Sequence, residues 1–273
     1  MPELPEVETT RRGLAPLVTG KVVCSVIVRV AKLRQPIPAS LPGILSGQRI
    51  LDIGRRAKYL LFHCQEGTLL LHLGMTGHLR VVPGATPPER HDHLDLALDD
   101  GALVRFNDSR RFGTLLWVED DPLQHPLLAR LGPEPLEGLS GDHFVQRARG
   151  RKIGVKPFIM DQSVVVGVGN IYASEALFRA RIHPQTPAGH LSPQQWQTLA
   201  AAIRAVLIDA VAAGDASLRD PGRADHHLGY FRIQPLVYGR GGEPCPNCGR
   251  PLAVKRIAQR STYFCPRCQQ RRT

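Results

Sequence analysis

Two short motifs, CPNC at Cys245–Cys248 and CPRC at Cys265–Cys268, constrain this chain more than any other feature. Sixteen residues separate the pairs. A C-x-x-C turn presents two thiolates on one side, half of a tetrahedron, and two such knuckles at this spacing close a four-sulfur site of the kind that holds zinc. Four cysteine ligands leave no open position for water, so one Zn2+ per chain is expected, in a structural role. Two disulfides are the other use of four cysteines, but they need an oxidising compartment. The chain opens on acidic residues, without the basic flank and apolar stretch of a signal peptide, so disulfides are not expected. The remaining cysteines, Cys24 and Cys64, sit in apolar, strand-like surroundings and are expected to be buried thiols.

Charge gathers around the same motifs. The formal net charge is +11, and from Arg240 onward eight basic residues face a single acid, Glu243. A balance of this sign points to a polyanionic partner, either nucleic acid or an acidic membrane surface. No apolar run is long enough to span a membrane. The expectation is a soluble, cytoplasmic protein with no membrane partner. At 273 residues the chain is long enough for a sizeable core and two domains.

Residues 20–118 read as β structure with no helical pattern between. KVVCSVIVRV and YLLFHC are apolar and β-branched, and HLDLALDDGALVRF alternates about an Asp99–Asp100–Gly101 turn, as a hairpin does. An antiparallel sandwich or barrel follows from that pattern. Proline and glycine cluster in LGPEPLEGLSG, marking a linker at 132–141. Helices come next. One, NIYASEALFRARI, is expected to be capped by Asn170. In another, Trp196, Leu199, Ile203, Val206 and Ala210 share a face, Ser192 is the N-cap, and Gly214 ends the helix. The anticipated division is a β domain at 2–131, the linker, a helical domain at 142–235 and a zinc module at 236–270.

The first residues, MPELPEVETT, admit two readings. In one they merely start an amphipathic helix: proline suits a first turn, glutamates complement the helix dipole, and Leu4, Val7, Leu14 and Leu17 recur at helical spacing. In the other, removal of Met1 exposes Pro2 as a secondary amine. An α-amino group titrates near about 7.7–8.0, so part of it is neutral and nucleophilic at pH 7. Amines attack aldehyde-like carbons to form Schiff bases. Glu3 beside it can serve as general acid where burial raises its pKa.

With these residues in place, the chain resembles the bacterial formamidopyrimidine-DNA glycosylases, also called 8-oxoguanine DNA glycosylases. PELPEVET, RRAKYLL, HLGMTG, RHDH, RRFG, VGVGNIYASEALF, VYGR and CPNC…QRSTYFCPRC occur in the family's order over essentially the whole length. The resemblance implies an α+β multidomain fold: an antiparallel β-sandwich with a leading helix, a helix-two-turn-helix domain and a zinc β-hairpin. It implies a monomer acting on nucleoid DNA, excising oxidised purines from the duplex and cutting the abasic strand by β,δ-elimination. Pro2 resembles the nucleophile and Glu3 the acid that opens the sugar. Lys58 resembles the lysine that donates a proton for base loss, against the ordinary fate of a surface lysine. Arg260 resembles the arginine that grips phosphate and assists the second elimination. Met75, Arg110 and Phe112 resemble a wedge that fills the gap behind a flipped base, with Arg110 facing the orphaned cytosine; Met and Phe are otherwise core residues. Phosphate contacts are implied at His72, His91, Arg151, Lys156 and Asn170. His91 and His93 flank Asp92, a pattern more often structural than metal-binding.

The resemblance fails in one stretch. Within SLRDPGRADHHLGYF, Pro221 replaces the family's aromatic, and His226 and Leu228 replace the glycine and proline of a later turn. The lesion spectrum is therefore not carried over. Two rivals share some features. A sister family, the endonuclease VIII type for oxidised pyrimidines, begins Pro-Glu-Gly-Pro-Glu where this chain has Leu4, and lacks the wedge set. A zinc protein that only binds damaged DNA would not need the Pro2–Glu3 pair.

Overall fold

A computed structural model describes residues 2–218, 228 and 234–271. The chain divides into two compact units, Met1–Ala129 with Val211–Phe231, and Arg130–Ala210 with Arg232–Thr273. Among the described residues no helix is long and apolar enough to cross a membrane.

The first unit is an antiparallel sandwich behind a leading helix. One sheet runs β1 (Val23–Val28), β6 (Asp92–Leu98), β7 (Ala102–Asn107), β5 (His78–Pro83); the other runs β2 (Ile50–Arg56), β3 (Tyr59–Cys64), β4 (Gly67–His72), β8 (Thr114–Val118). The expected hairpin is β6–β7, with Ala97 opposite Leu103 and Gly101 at φ +85 in the turn. Leu60, Phe62, Leu69, Leu71, Leu96, Val104 and Phe106 meet between the sheets in one core. A short helix, α2 (Leu41–Leu45), interrupts the stretch read as uniformly β; Pro42 in its first turn favours it.

The leading helix α1 spans Leu4–Val18 and lies against β2, β3 and β5. Leu4, Val7 and Leu14 are fully buried as the pattern predicts. Leu17 is not: it is 46% exposed, and Val18 takes the buried place. Cys24 also departs from expectation, since it lies on the outward side of edge strand β1 and is exposed. Cys64 is buried, and burial pushes its thiol up to about 11.

The second unit holds α3 (Gly141–Ala148), α4 (Val155–Ile159), α5 (Asn170–Arg179), most of α6 (Pro193–Leu218) and the hairpin β9 (Ala253–Ile257) and β10 (Arg260–Phe264). Trp196 of α6 stacks on Phe144 and meets Phe158, and the predicted face of α6 is buried. Ser192 and Gln195 exchange backbone N–H bonds, as in a capping box. Gly214 does not end α6, which continues to Leu218. A glycine costs a helix interior only about 1 kcal/mol, and Gly214 is buried there while the next residue, Asp215, pairs with Arg12. The altered stretch at 217–231 lies outside the described residues apart from Ser217, Leu218 and Leu228.

Candidate functional site

Pro2 precedes the first helix rather than opening it. Glu3 is the N-cap, in extended conformation, and Pro5 occupies the first turn. Glu3 and Glu6 form a reciprocal capping box, with the Glu3 N–H donating to Glu6 Oε2 at 2.8 Å. The box fixes where the chain before the helix points, and Glu3 is 2% exposed. Met1 lies outside the described residues. Behind this start, Glu8 accepts from Arg11, Arg12 and Arg55. Burial alone pushes the Glu8 carboxyl up, but the bonds from Arg11 and Arg12 and the charge of Arg55 bring it down to about 2.

Lys58 stands in the two-residue turn joining β2 to β3, next to Ala57 at φ +54. It is 8% exposed, so it is no ordinary surface lysine. Tyr59 faces His72 across β3 and β4, ring centroids 4.8 Å apart. Burial, then the charges of Lys58 and Arg34, hold the His72 imidazole down at about 4. Its Nδ1 accepts the Gly74 N–H at 2.9 Å, which leaves the proton on Nε2. His72 is therefore a neutral donor at pH 7. Arg34 is a residue that sequence reasoning missed. Its N–H donates to Gly113 O at 3.0 Å, and its charge acts on both His72 and Tyr59. A lone arginine in a basic chain gives no signal of this.

Met75, Arg110 and Phe112 sit on two neighbouring loops. Met75 is half-buried in a turn closed by the Gly77 N–H on Leu73 O. Phe112 is 41% exposed, and the Arg110 guanidinium lies 4.8 Å over its ring. The loops touch at Gly74, whose φ is +69 and where a Cβ would come within 2.5 Å of the Phe112 carbonyl carbon. Glycine is required there on both counts. Neither Met75 nor Phe112 is in the core. His91 is held at φ +74 beside a buried ion network in which Arg80 grips Asp92 and Arg105 grips Asp95. His93 is 4% exposed and its Nε2 bonds Asp108 O at 2.9 Å. Asp92 and His93 are thus engaged by protein groups. Among the described residues the only group arranged for a metal ion is the cysteine cluster.

In the second unit Lys156 is 1% exposed. Its Nζ donates to Asn170 Oδ1 at 2.6 Å, Thr262 Oγ1 at 2.9 Å and Ser261 O at 3.4 Å. The resemblance implies that it reaches phosphate, but its ammonium is turned onto protein oxygens. Asn170 is not a cap either: Gly169 is, and Asn170 is the first residue of α5. With Oδ1 held by Lys156, its Nδ2 donates to Ser261 O at 3.0 Å. The pair therefore fixes the strand beside Arg260, which is exposed just after the Ala258–Gln259 turn of the hairpin. Arg151 is exposed between α3 and α4, its carbonyl accepting the Gly189 N–H.

The four cysteine sulfurs lie within 4.8 Å of one another. Cys248 and Cys265 approach to 3.5 Å and Cys245 and Cys268 to 3.9 Å, near the edge of about 3.8 Å that zinc–sulfur bonds of about 2.3 Å impose on a tetrahedron. All are free thiols, far from disulfide distance. Gln269 supports the cluster, taking the Cys265 N–H on Oε1 and donating to Ile182 O from Nε2. Glu175 of α5 accepts the N–H groups of Leu236, Val237 and Tyr238, tying down the turn that enters the module.

Three domain families match in order: the formamidopyrimidine-DNA glycosylase N-terminal domain over residues 1–115, the H2TH domain of the same glycosylases over 131–221, and a zinc finger found in FPG and IleRS over 242–271. With the sulfur geometry, the last identifies the module as a zinc finger holding one structural zinc ion. Formamidopyrimidine-DNA glycosylases of Alkalilimnicola ehrlichii and Geobacter sulfurreducens are each 56% identical, covering 99% of this chain and all of theirs. Among solved structures, Lactococcus lactis Fpg in complex with DNA containing an abasic site superposes with a TM-score of 0.89 at 33% identity, over 98% of this chain and 100% of that one. The MutM (Fpg) protein of Thermus thermophilus gives 0.83 at 42% identity, with both chains fully covered. Matches of that extent, on a sandwich, helical and zinc-finger arrangement with its motifs in order, make this chain a member of the formamidopyrimidine-DNA glycosylase family.

Proposed function

We infer that the protein is a base-excision repair enzyme, a DNA glycosylase for oxidised purines that also cleaves the abasic strand. The observation that carries the reading furthest is the chain start: Pro2 directly precedes a glutamate that is 2% exposed and locked at a helix N-cap. Relatives that share the whole length are named for this activity or are bound to damaged DNA. The reading divides labour along the expected modules at 2–131, 142–235 and 236–270, and has the protein act as a monomer on nucleoid DNA without a membrane partner.

The chemistry runs as follows. The Pro2 nitrogen attacks C1′ of the damaged nucleotide as the bond to the base breaks. Lys58 supplies a proton to the departing base. The Pro2 nitrogen gives its N–H proton to the Lys58 amine, now neutral after protonating the base. Glu3 protonates the ring oxygen, C1′–O4′ opens, and the freed lone pair on nitrogen completes an iminium. Loss of a C2′ proton expels the 3′ phosphate, and a second elimination expels the 5′ phosphate, with the Arg260 guanidinium bound to that phosphate by bidentate donors. Met75 and Phe112 fill the emptied stack and Arg110 meets the orphaned base; flipping costs a few kcal/mol that such a wedge offsets. His72 donates Nε2–H to phosphate as a neutral imidazole. His91, Arg151 and Asn170 make further phosphate contacts, and Lys156 acts by orienting Asn170. The zinc ion holds the hairpin that presents Arg260 and takes no part in the bond changes.

Borohydride reduces an iminium to a stable amine. Incubation with 8-oxoguanine duplex and borohydride is expected to yield one covalent protein–DNA species that peptide mapping assigns to Pro2. Retaining Met1 is expected to abolish it while duplex binding persists. Glu3→Gln is expected to slow excision more than cleavage at a pre-formed abasic site. Trapping that survives a blocked N-terminus would remove Pro2 and move the search to Lys58.

A further inference from the structure

The loops bearing Met75 and Arg110–Phe112 are both crossovers between the sheets. Residues 73–77 lead from β4 to β5, and residues 108–113 lead from β7 to β8. His72 pairs with Thr114 and His78 with Asn107, so the crossovers start and finish side by side on one rim of the sandwich. One side chain joins them. Asp108 is fully buried. Its Oδ1 accepts the Thr76 hydroxyl at 2.6 Å and the Arg110 N–H at 3.3 Å, and its Oδ2 accepts the Gly113 N–H at 2.7 Å. The Arg110 N–H also reaches Thr76 Oγ1 at 3.1 Å. The Asp108 N–H donates to His91 O, and its carbonyl accepts from His93. One residue thus holds the neighbour of Met75, the backbone of Arg110, the residue after Phe112 and the His91 loop.

We propose that Asp108 is the positioning residue of the wedge: its carboxylate locks the two crossovers together so that Met75, Arg110 and Phe112 enter the duplex as one preset unit, and thereby sets the preference for the opposing base. This rests on the wedge reading given above. A carboxylate suits the task because it only accepts, and three donors converge on it. Asparagine has one accepting oxygen and would turn an N–H toward one of those donors. A loop ordered before binding loses less freedom when it inserts, so the lock lowers the cost of filling the stack.

The test compares single-turnover excision of 8-oxoguanine opposite cytosine and opposite adenine in the full-length protein, with cleavage of a single-stranded abasic oligonucleotide as reference. Asp108→Asn is expected to lower excision opposite cytosine by about tenfold, the weight of one charge-assisted bond. It should also compress the cytosine-to-adenine ratio toward that of Arg110→Ala, and leave the single-strand reaction, which has no stack to fill, unchanged. Thr76→Val, which removes only the hydroxyl, should compress the ratio, and Thr76→Ser should restore it. If Asp108→Asn does not fold, the Thr76 pair decides alone: an uncompressed ratio in Thr76→Val overturns the proposal. Equal loss on all three substrates overturns it in favour of a general structural role. A ratio compressed by Arg110→Ala but not by Asp108→Asn overturns this proposal while sparing the wedge reading. A ratio untouched by Arg110→Ala overturns both.

Discussion

The zinc finger and the sandwich rim hold functional groups in place by opposite means. In the finger, the four ligands span only Cys245 to Cys268, and one ion joins them. On the rim, Thr76, His91, Asp108 and Gly113 meet because eight strands bring two crossovers together, and a buried carboxylate finishes the job. The finger buries little apolar surface of its own; its sulfurs share a small cluster with Phe178, Val237 and Leu252. The rim stands on the large core between the sheets. A small module gains a fixed shape from coordination, whereas a large one can fix polar side chains by burying them.

The sharpest way to break this comparison is to remove a ligand. Binding of structural zinc is worth about 10–16 kcal/mol at pH 7, more than a small module's packing supplies. Cys248→Ser is therefore expected to lose the metal, unfold the finger and abolish DNA binding, while amide hydrogen exchange in β1–β8 stays slow. Metal analysis of the active protein should find one zinc per chain; zinc-free active protein would refute the account.

The sandwich should answer to burial and charge instead. The folded pKa of Glu8 is lowered from 4.5 to about 2, so its stabilisation is present above pH 4.5 and is lost as pH falls toward 2. Glu8→Gln is expected to cost the sandwich about 3 kcal/mol at pH 7 and to remove that part of the acid slope. Denaturant unfolding at pH 7 and pH 3, followed by exchange of the β2 and β3 amides, measures both; an equal deficit at the two pH values would contradict it.

Lys156 tests whether burial also governs the second unit. Lys156→Met leaves Asn170 Oδ1 and Thr262 Oγ1 without their donor, so a loss of about 2 kcal/mol is expected, with faster exchange across β9 and β10. The dependence of duplex affinity on salt should keep its slope. A slope reduced by about 1 with stability intact would make Lys156 a phosphate contact after all. The smallest effect is expected at Leu17, where Leu17→Gln should change thermal stability by less than about 0.5 kcal/mol because the residue faces solvent.

Much of this was legible in the chain itself. The cysteine spacing declared the metal site, alternation declared the β6–β7 hairpin, and the Ser192 cap and apolar face declared α6. Each of these signals lies within a few turns or strands of sequence, where local geometry alone dictates the outcome. Errors came where a local rule met a tertiary one. Leu17 fits the helical period but lies past the sheet's cover, and Gly214 is a stop signal that packing overrode. Asn170 has the chemistry of a cap, yet Lys156 claims its oxygen.

By itself, then, the sequence determined the zinc module, the strand-rich first half, the helices of the second and the order of motifs that place the chain in its family. Only the tertiary structure decided that Glu3 is buried at an N-cap, that burial, helped by the charges of Lys58 and Arg34, keeps His72 neutral, and that Asp108 joins two loops. The reason is physical. A pKa or a buried hydrogen bond depends on which groups lie within a few ångströms after the sheets have closed, and that proximity is set by the whole core rather than by any stretch of the chain.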